Sequence, residues 1–192
     1  ESDIGIAFLK RKRGKKSITL DLKSEEGHAL FLRLVEHADV VVENFTVGVT
    51  ERLKIDWPAL RKINPKLVYC SITGYGATGP DAKRRAYDLT TQAMSGLMSV
   101  TGYPGNPPTK AGTPMGDTIS AGFAFSAILG ALFHRERTGE GQHIDISMTD
   151  VLFSLIFDES LDIYEDLGMS FQQGNRIMRF SPFNAYPTQD GW

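Results

Sequence analysis

Asp117 is the acid in this sequence best placed to do chemistry. It follows Gly116 at the end of a Gly/Pro-rich loop and stands where a long apolar helix should begin, at the N-cap position. Asp is among the favoured N-caps, and that role alone accounts for it. The positive end of a helix also favours a carboxylate, which leaves Asp117 available as a nucleophile. Asp150, in Met148-Thr149-Asp150-Val151, competes with it but reads as a helix start. The other conspicuous chemistry is basic: Lys10, Arg11, Lys12, Arg13, Lys15 and Lys16 surround Gly14. Such a run is either a solvated face or, at the lip of a parallel sheet, an anion site for a phosphorylated ligand. No aromatic residues interleave with it to stack on bases, so nucleic acid is not an expected partner.

Gly74, Gly76 and Gly79 have the G-x-G-x-x-G spacing of a dinucleotide-binding turn directly after an apolar run. Pro80 and Asp81 follow where an apolar helix should open, and no Asp or Glu stands between Leu89 and Gly116 to hold a ribose hydroxyl. The preferred reading is a loop whose glycines permit positive φ. A non-catalytic nucleotide-binding module is the rival reading. His28, His37, His134 and His143 show no metal-ligand spacing and no serine sits in a nucleophile elbow, so neither a metal centre nor a serine hydrolase is expected.

These groups need a scaffold. The chain has 192 residues, 41% hydrophobic and 23% charged, which suits one domain or a piece of one. No apolar run is expected to span a membrane. Cys70 is the single cysteine, which excludes an intrachain disulfide and a cysteine-based zinc site. A formal charge of −2 argues against whole-molecule attraction to nucleic acid. Cytoplasmic location is the default, and because Glu1 is not an initiator methionine this expectation allows for a preceding segment.

Residues 17–22 (SITLDL) alternate in the β manner, and Ser24 can cap a helix opened by Glu25 and Glu26, with Leu30, Phe31, Leu34, Val35 and Ala38 on one face. An apolar strand at 39–42 would complete a βαβ unit. Asp56-Trp57-Pro58 opens another helix and residues 67–72 a third strand. The stretch 73–85 reads as irregular, 87–100 as a helix and 101–116 as a loop. Residues 118–137 read as a helix buried on most faces, 143–147 as a strand and 148–164 as a further helix. Helices alternating with short β-branched strands predict an α/β fold with a parallel sheet. Residues 168–192 lack periodicity and read as a connection out of the domain.

Taken in order, Arg13-Gly14-Lys15-Lys16-Ser17-Ile18-Thr19-Leu20-Asp21-Leu22-Lys23, Val42-Glu43-Asn44-Phe45, Ser71-Ile72-Thr73-Gly74-Tyr75-Gly76, Tyr87-Asp88-Leu89, Gly116-Asp117 and Gly139-Glu140-Gly141-Gln142-His143-Ile144-Asp145 closely resemble the class III CoA-transferases. That family includes formyl-CoA transferase, carnitine CoA-transferase and α-methylacyl-CoA racemase. The resemblance implies a fragment: a Rossmann-like large CoA-binding domain over 1–167, a connection over 168–192 toward a second domain, and an interlocked homodimer. It implies Asp117 as the catalytic aspartate. It also implies Leu20, Asp21, Leu22, Lys23, Asn44, Phe45, Thr46, Arg52, Arg84, Arg85, Ala86 and Tyr87 as lining for coenzyme A, a substrate with acyl-CoA and a small carboxylic acid, with no tightly bound cofactor. In the transferase mechanism so implied, Asp117 attacks an acyl-CoA thioester and an aspartyl-CoA thioester forms. The racemase branch needs a histidine where this sequence has Tyr87, and tyrosine is a poor base near neutrality. A transferase is therefore expected over a racemase or epimerase.

Overall fold

Helices alternate with short strands through residues 5–192, which are the residues described; the first four of the domain expected over 1–167 lie outside them. In chain order the computed structural model has α1 (Ile6–Lys12), α2 (Glu25–Val35), β1 (Val40–Glu43), α3 (Val49–Arg52), α4 (Trp57–Ile63) and β2 (Val68–Thr73). There follow α5 (Asp88–Met94), α6 (Leu97–Val100), α7 (Met115–Thr138), β3 (His143–Ser147), α8 (Met148–Phe153) and α9 (Leu161–Asp166). The strands pair in parallel in the order β1-β2-β3, with Val41 opposite Tyr69 and Tyr69 opposite His143. Parallel neighbours need crossovers, and helices supply both. Central β2 is buried from Val68 to Ser71, as a strand covered on two faces must be.

Each face of the sheet has its own core. On one, Val35, Ile55 and Leu60 from the α2 to α4 region meet Leu67 and Tyr69, with Leu22 and Trp57 at the margin. On the other, Ala124 of α7 and Val151 of α8 meet Cys70 and Ile146. Alternation along β2 is what sends Tyr69 and Cys70 to opposite layers. Asn64 ties the first layer together by donating to the carbonyls of Val35 and Ala38, at 3.0 and 2.9 Å. Ser24 caps α2 as expected, accepting from the Gly27 amide at 3.1 Å, and Pro58 occupies the first turn of α4.

The structure departs from expectation in several places, each for a local reason. Residues 17–22 form no strand, because no hydrogen bond joins their backbone to a ladder among the described residues, and Ile18 is exposed. Alternation alone makes no strand; the amides need a partner edge. The inward stripe at α2 is Phe31, Leu32, Val35 and Ala38, while Leu30 and Leu34 are exposed. The helix expected over 87–100 is two helices, broken at Gly96, whose φ of +85° is left-handed. The helix expected over 148–164 is likewise split into α8 and α9 by an intervening turn.

The largest correction concerns α7. It is not buried all round: its inward stripe is Gly116, Ser120, Ala124 and Ala131, while Phe123, Phe125, Leu129 and Phe133 are exposed, Phe125 at 63%. Small residues let the helix backbone lie close to the sheet. By length and composition α7, with 24 residues of which an 18-residue stretch has a mean hydropathy of 1.4, is long and apolar enough to cross a membrane, which the sequence reading did not foresee. In this fold one side of it packs on β2 and β3. Its end is fixed twice. Gly139 takes the left-handed C-cap with φ +78°, and Arg135, whose side chain is only 16% exposed, pairs with Asp39 at 3.0 Å. No Cβ fits at Gly141, where it would lie 1.9 Å from the Leu67 carbonyl oxygen, so the turn into β3 needs glycine.

Cys70 lies wholly buried beneath α7. Burial pushes its thiol up from 9.0 to about 11, with Glu43 and Asp145 adding to the rise. The unfolded chain therefore loses this proton first, and this contribution to stability is complete below about pH 9 and falls as the pH rises toward 11. A thiol-alkylating reagent at pH 8 should leave Cys70 unlabelled in the native protein and label it in concentrated urea. Prompt native-state labelling, read by mass spectrometry, would contradict this packing.

Candidate active site

A cavity of about 800 Å³ opens at the carboxyl ends of β1 and β2. Crevices of parallel sheets form there because the loops leaving neighbouring strands diverge. One wall is the loop after β1, Asn44 to Val47, which Glu43 shapes by accepting from the Phe45 amide at 2.7 Å. The floor is Ile72, Thr73 and Gly74; the Gly74 carbonyl accepts from both the hydroxyl and the amide of Thr149, at 2.8 and 3.0 Å. A Cβ on Gly74 would come within 2.1 Å of Ala86 Cβ, so glycine here is what lets the loop bearing Arg84, Arg85 and Tyr87 close over β2. The remaining wall is the first turns of α7.

The glycine spacing builds no dinucleotide turn. Gly76 and Gly79 are left-handed, at φ +83° and +96°, but turns follow, and the next helix begins only at Asp88. The Ala77 amide instead donates to Asp145 at 2.8 Å, pinning the loop to β3. The loop supplies charge: Arg84 is held by Asp81 at 3.2 Å and lies 5.5 Å from the Tyr75 ring centroid, whereas Arg85 has no ion pair among the described residues.

Asp117 lines this cavity as the third residue of α7, not as its N-cap. The helix begins earlier than expected because a residue outside it caps its first turn. Asp88 accepts from the Gly116 amide at 2.7 Å with one carboxylate oxygen and from Gln92 Nε2 at 2.7 Å with the other. Gln92 is fully buried and accepts in turn from the Ala111 amide at 2.9 Å, anchoring the preceding loop. Gly116 must be glycine: a Cβ would sit 2.7 Å from Thr91 Oγ1 and 3.1 Å from Asp88. Asp150, the competing acid, lies in the first turn of α8, where the Ser147 hydroxyl accepts from its amide at 3.2 Å.

Of the residues expected to line the site, Asn44, Phe45, Thr46, Arg84, Arg85, Ala86, Tyr87 and Asp117 come together. Leu20, Asp21, Leu22, Lys23 and Arg52 do not line this cavity. Asp21 builds the turn before α2, accepting from Ser24 through its carbonyl and from the Lys23 amide through its carboxylate, and Leu22 packs on the core. Arg52 is exposed on α3, and the basic run 10–16 is exposed and outside the cavity wall. Among the described residues no group of His, Cys, Asp and Glu could hold a metal ion. Sequence reasoning missed Thr73 and Ser120, residues of the cavity lining whose buried hydroxyls have no hydrogen-bond partner among the described residues. The spacing of Ser120 from Asp117, three residues along one helix, was the available signal.

The whole described chain finds a counterpart in known proteins. The family model for CoA-transferase family III matches residues 1–192. Succinate--glutarate CoA-transferase of Agrobacterium fabrum is 44% identical over 94% of this chain and 45% of its own length. Acetyl-CoA:oxalate CoA-transferase of Acetobacter aceti is 44% identical over 98% of this chain and 49% of its own. A CAIB/BAIF family protein from Brucella suis superposes with a TM-score of 0.82 at 41% identity, covering 93% of this chain and 47% of that one. The chain thus spans about half the length of these relatives. Over that length it belongs to CoA-transferase family III.

Proposed function

We propose that the complete protein is an acyl-CoA:carboxylate CoA-transferase whose nucleophile is Asp117. The observation that carries this reading is the position of Asp117 on the first turn of α7, in a cavity whose other walls offer Arg84 and Arg85 and apolar Phe45. Guanidinium groups suit the phosphates of coenzyme A and apolar surface suits its adenine or pantetheine arm. Coenzyme A is then a substrate, and no tightly bound cofactor is needed. The relatives are named for succinate, glutarate and oxalate, which supports small carboxylic acids as partners in the exchange. The open aromatic face of α7 supports a homodimer.

In this reading the Asp117 carboxylate adds to the thioester carbonyl carbon, the C–S bond breaks, and the thiolate leaves a mixed anhydride. The thiolate then attacks the aspartyl carbonyl, releasing the donor acid and leaving an aspartyl-CoA thioester. The acceptor carboxylate attacks that thioester, the thiolate leaves again, and its return to the acceptor's acyl carbon frees Asp117. Two modest barriers replace one high one at each exchange. Asp88 is occupied by Gly116 and Gln92, so its part is to fix the turn that carries the nucleophile.

Complete protein incubated with succinyl-CoA alone should carry an adduct on Asp117 that hydroxylamine cleaves. Asp117→Asn should abolish adduct and turnover while remaining folded, because a carboxylate in a first helical turn contributes only about 0.3–1 kcal/mol. An active, folded Asp117→Asn protein, or an adduct mapped to Asp150, sinks the assignment.

Arg85→Ala should weaken coenzyme A binding about tenfold, in the range of one lost charge-assisted hydrogen bond. The wild-type affinity should also fall as salt rises. Unchanged titration calorimetry for the variant would remove Arg85 from the site.

A further inference from the structure

Two hydroxyls of the cavity lining have no hydrogen-bond partner among the described residues. Ser120 is 1% exposed and Thr73 closes β2; both line the same cavity as Asp117, and neither hydroxyl has a partner among the described residues. Buried polar groups left unsatisfied are rare, and each calls for a physical explanation. The usual one for a helical serine, a bond back to the preceding turn, is not made here. Ser126 and Thr138, on the same helix, do make it, to the carbonyls of Gly122 and His134 at 3.0 Å each. Ser120, a buried residue of the cavity lining, makes no such bond.

We infer that Ser120 and Thr73 donate to the acyl oxygen of the thioester that Asp117 attacks. The inference rests on the transferase reading above. Ser120 lies three residues after Asp117 on α7 and Thr73 ends β2, so the two hydroxyl-bearing residues line the nucleophile's cavity from different elements. When Asp117 adds to the carbonyl carbon, the π pair moves onto that oxygen, and its new negative charge is met by two O–H donors already excluded from water. Such donors act on the charged intermediate more than on the bound substrate, so they raise kcat with little effect on KM.

The test uses the complete protein with succinyl-CoA as donor and glutarate as acceptor. Ser120→Ala and Thr73→Val should each reduce kcat and the rate of adduct formation roughly a hundredfold, with KM for succinyl-CoA nearly unchanged. Melting temperatures should hold or rise, because each variant removes a buried group that has no partner in the free protein. Thr73→Ser, which keeps the hydroxyl, should retain most of the rate. Wild-type rates in folded Ser120→Ala and Thr73→Val overturn the inference and leave the transferase reading standing. Slower turnover matched by a falling melting temperature, with Thr73→Ser no better than Thr73→Val, also overturns it in favour of packing. A wild-type protein that exchanges no coenzyme A overturns the transferase reading and the inference together.

Discussion

The cavity depends on the carboxylate of Asp88. One oxygen holds the Gly116 amide and so joins α5 to the start of α7, while the other accepts from Gln92 one turn along α5 and fixes the carboxylate's orientation. The first amides of a helix have no partner within it, and a carboxylate is the strongest acceptor a side chain can offer them. Gln92 extends the grip to the loop that leads into α7. Asp117 follows Gly116 directly, so its direction is inherited from a contact it does not itself make. The tight fit around Gly116 leaves that contact a single geometry.

The rest of the site follows from parallel pairing. Three strands running the same way deliver their loops to one edge, and the cavity occupies that edge. Glycine at position 74 then lets the arginine-bearing loop fold down onto β2, which places positive charge beside an acid without burying either. Farther back along the sheet, Ser71 and His143 bond each other at 3.1 Å, and His143 stacks on Trp57. That pair lies outside the cavity wall.

Much of this was legible in the sequence, and the failures have physical causes. Short β-branched runs marked β1, β2 and β3, and Ser24 and Pro58 marked helix starts, because these signals are local. The start of α7 was misplaced because its cap, Asp88, stands 28 residues away from Gly116 in the chain. Residues 17–22 have a strand's alternation but no ladder partner among the described residues, which composition cannot register. The apolar character of α7 was plain, yet apolarity says which side chains avoid water and not which of them a sheet will cover; here the small ones were covered. The orphaned hydroxyls of Thr73 and Ser120 emerge only once every possible partner has a position. Leu20 to Lys23 and Arg52, which the resemblance places at the site, stand outside this cavity's wall; Asp21 and Lys23 bond in the turn before α2 and Arg52 is exposed.

The clamping of α7 at both ends makes the helix a ruler. Asp88 grips it beside Gly116, and Asp39 grips Arg135 some five turns later, so its rotation and its height above the sheet are both specified. Its length is consequently as constrained as its composition. One residue added or removed between these anchors turns everything beyond it by about 100° and moves it by about 1.5 Å, so that both grips cannot be kept. Change in this helix is therefore open to exchange of one residue for another and closed to insertion or deletion. The count of residues from Gly116 to Arg135 stays as it is.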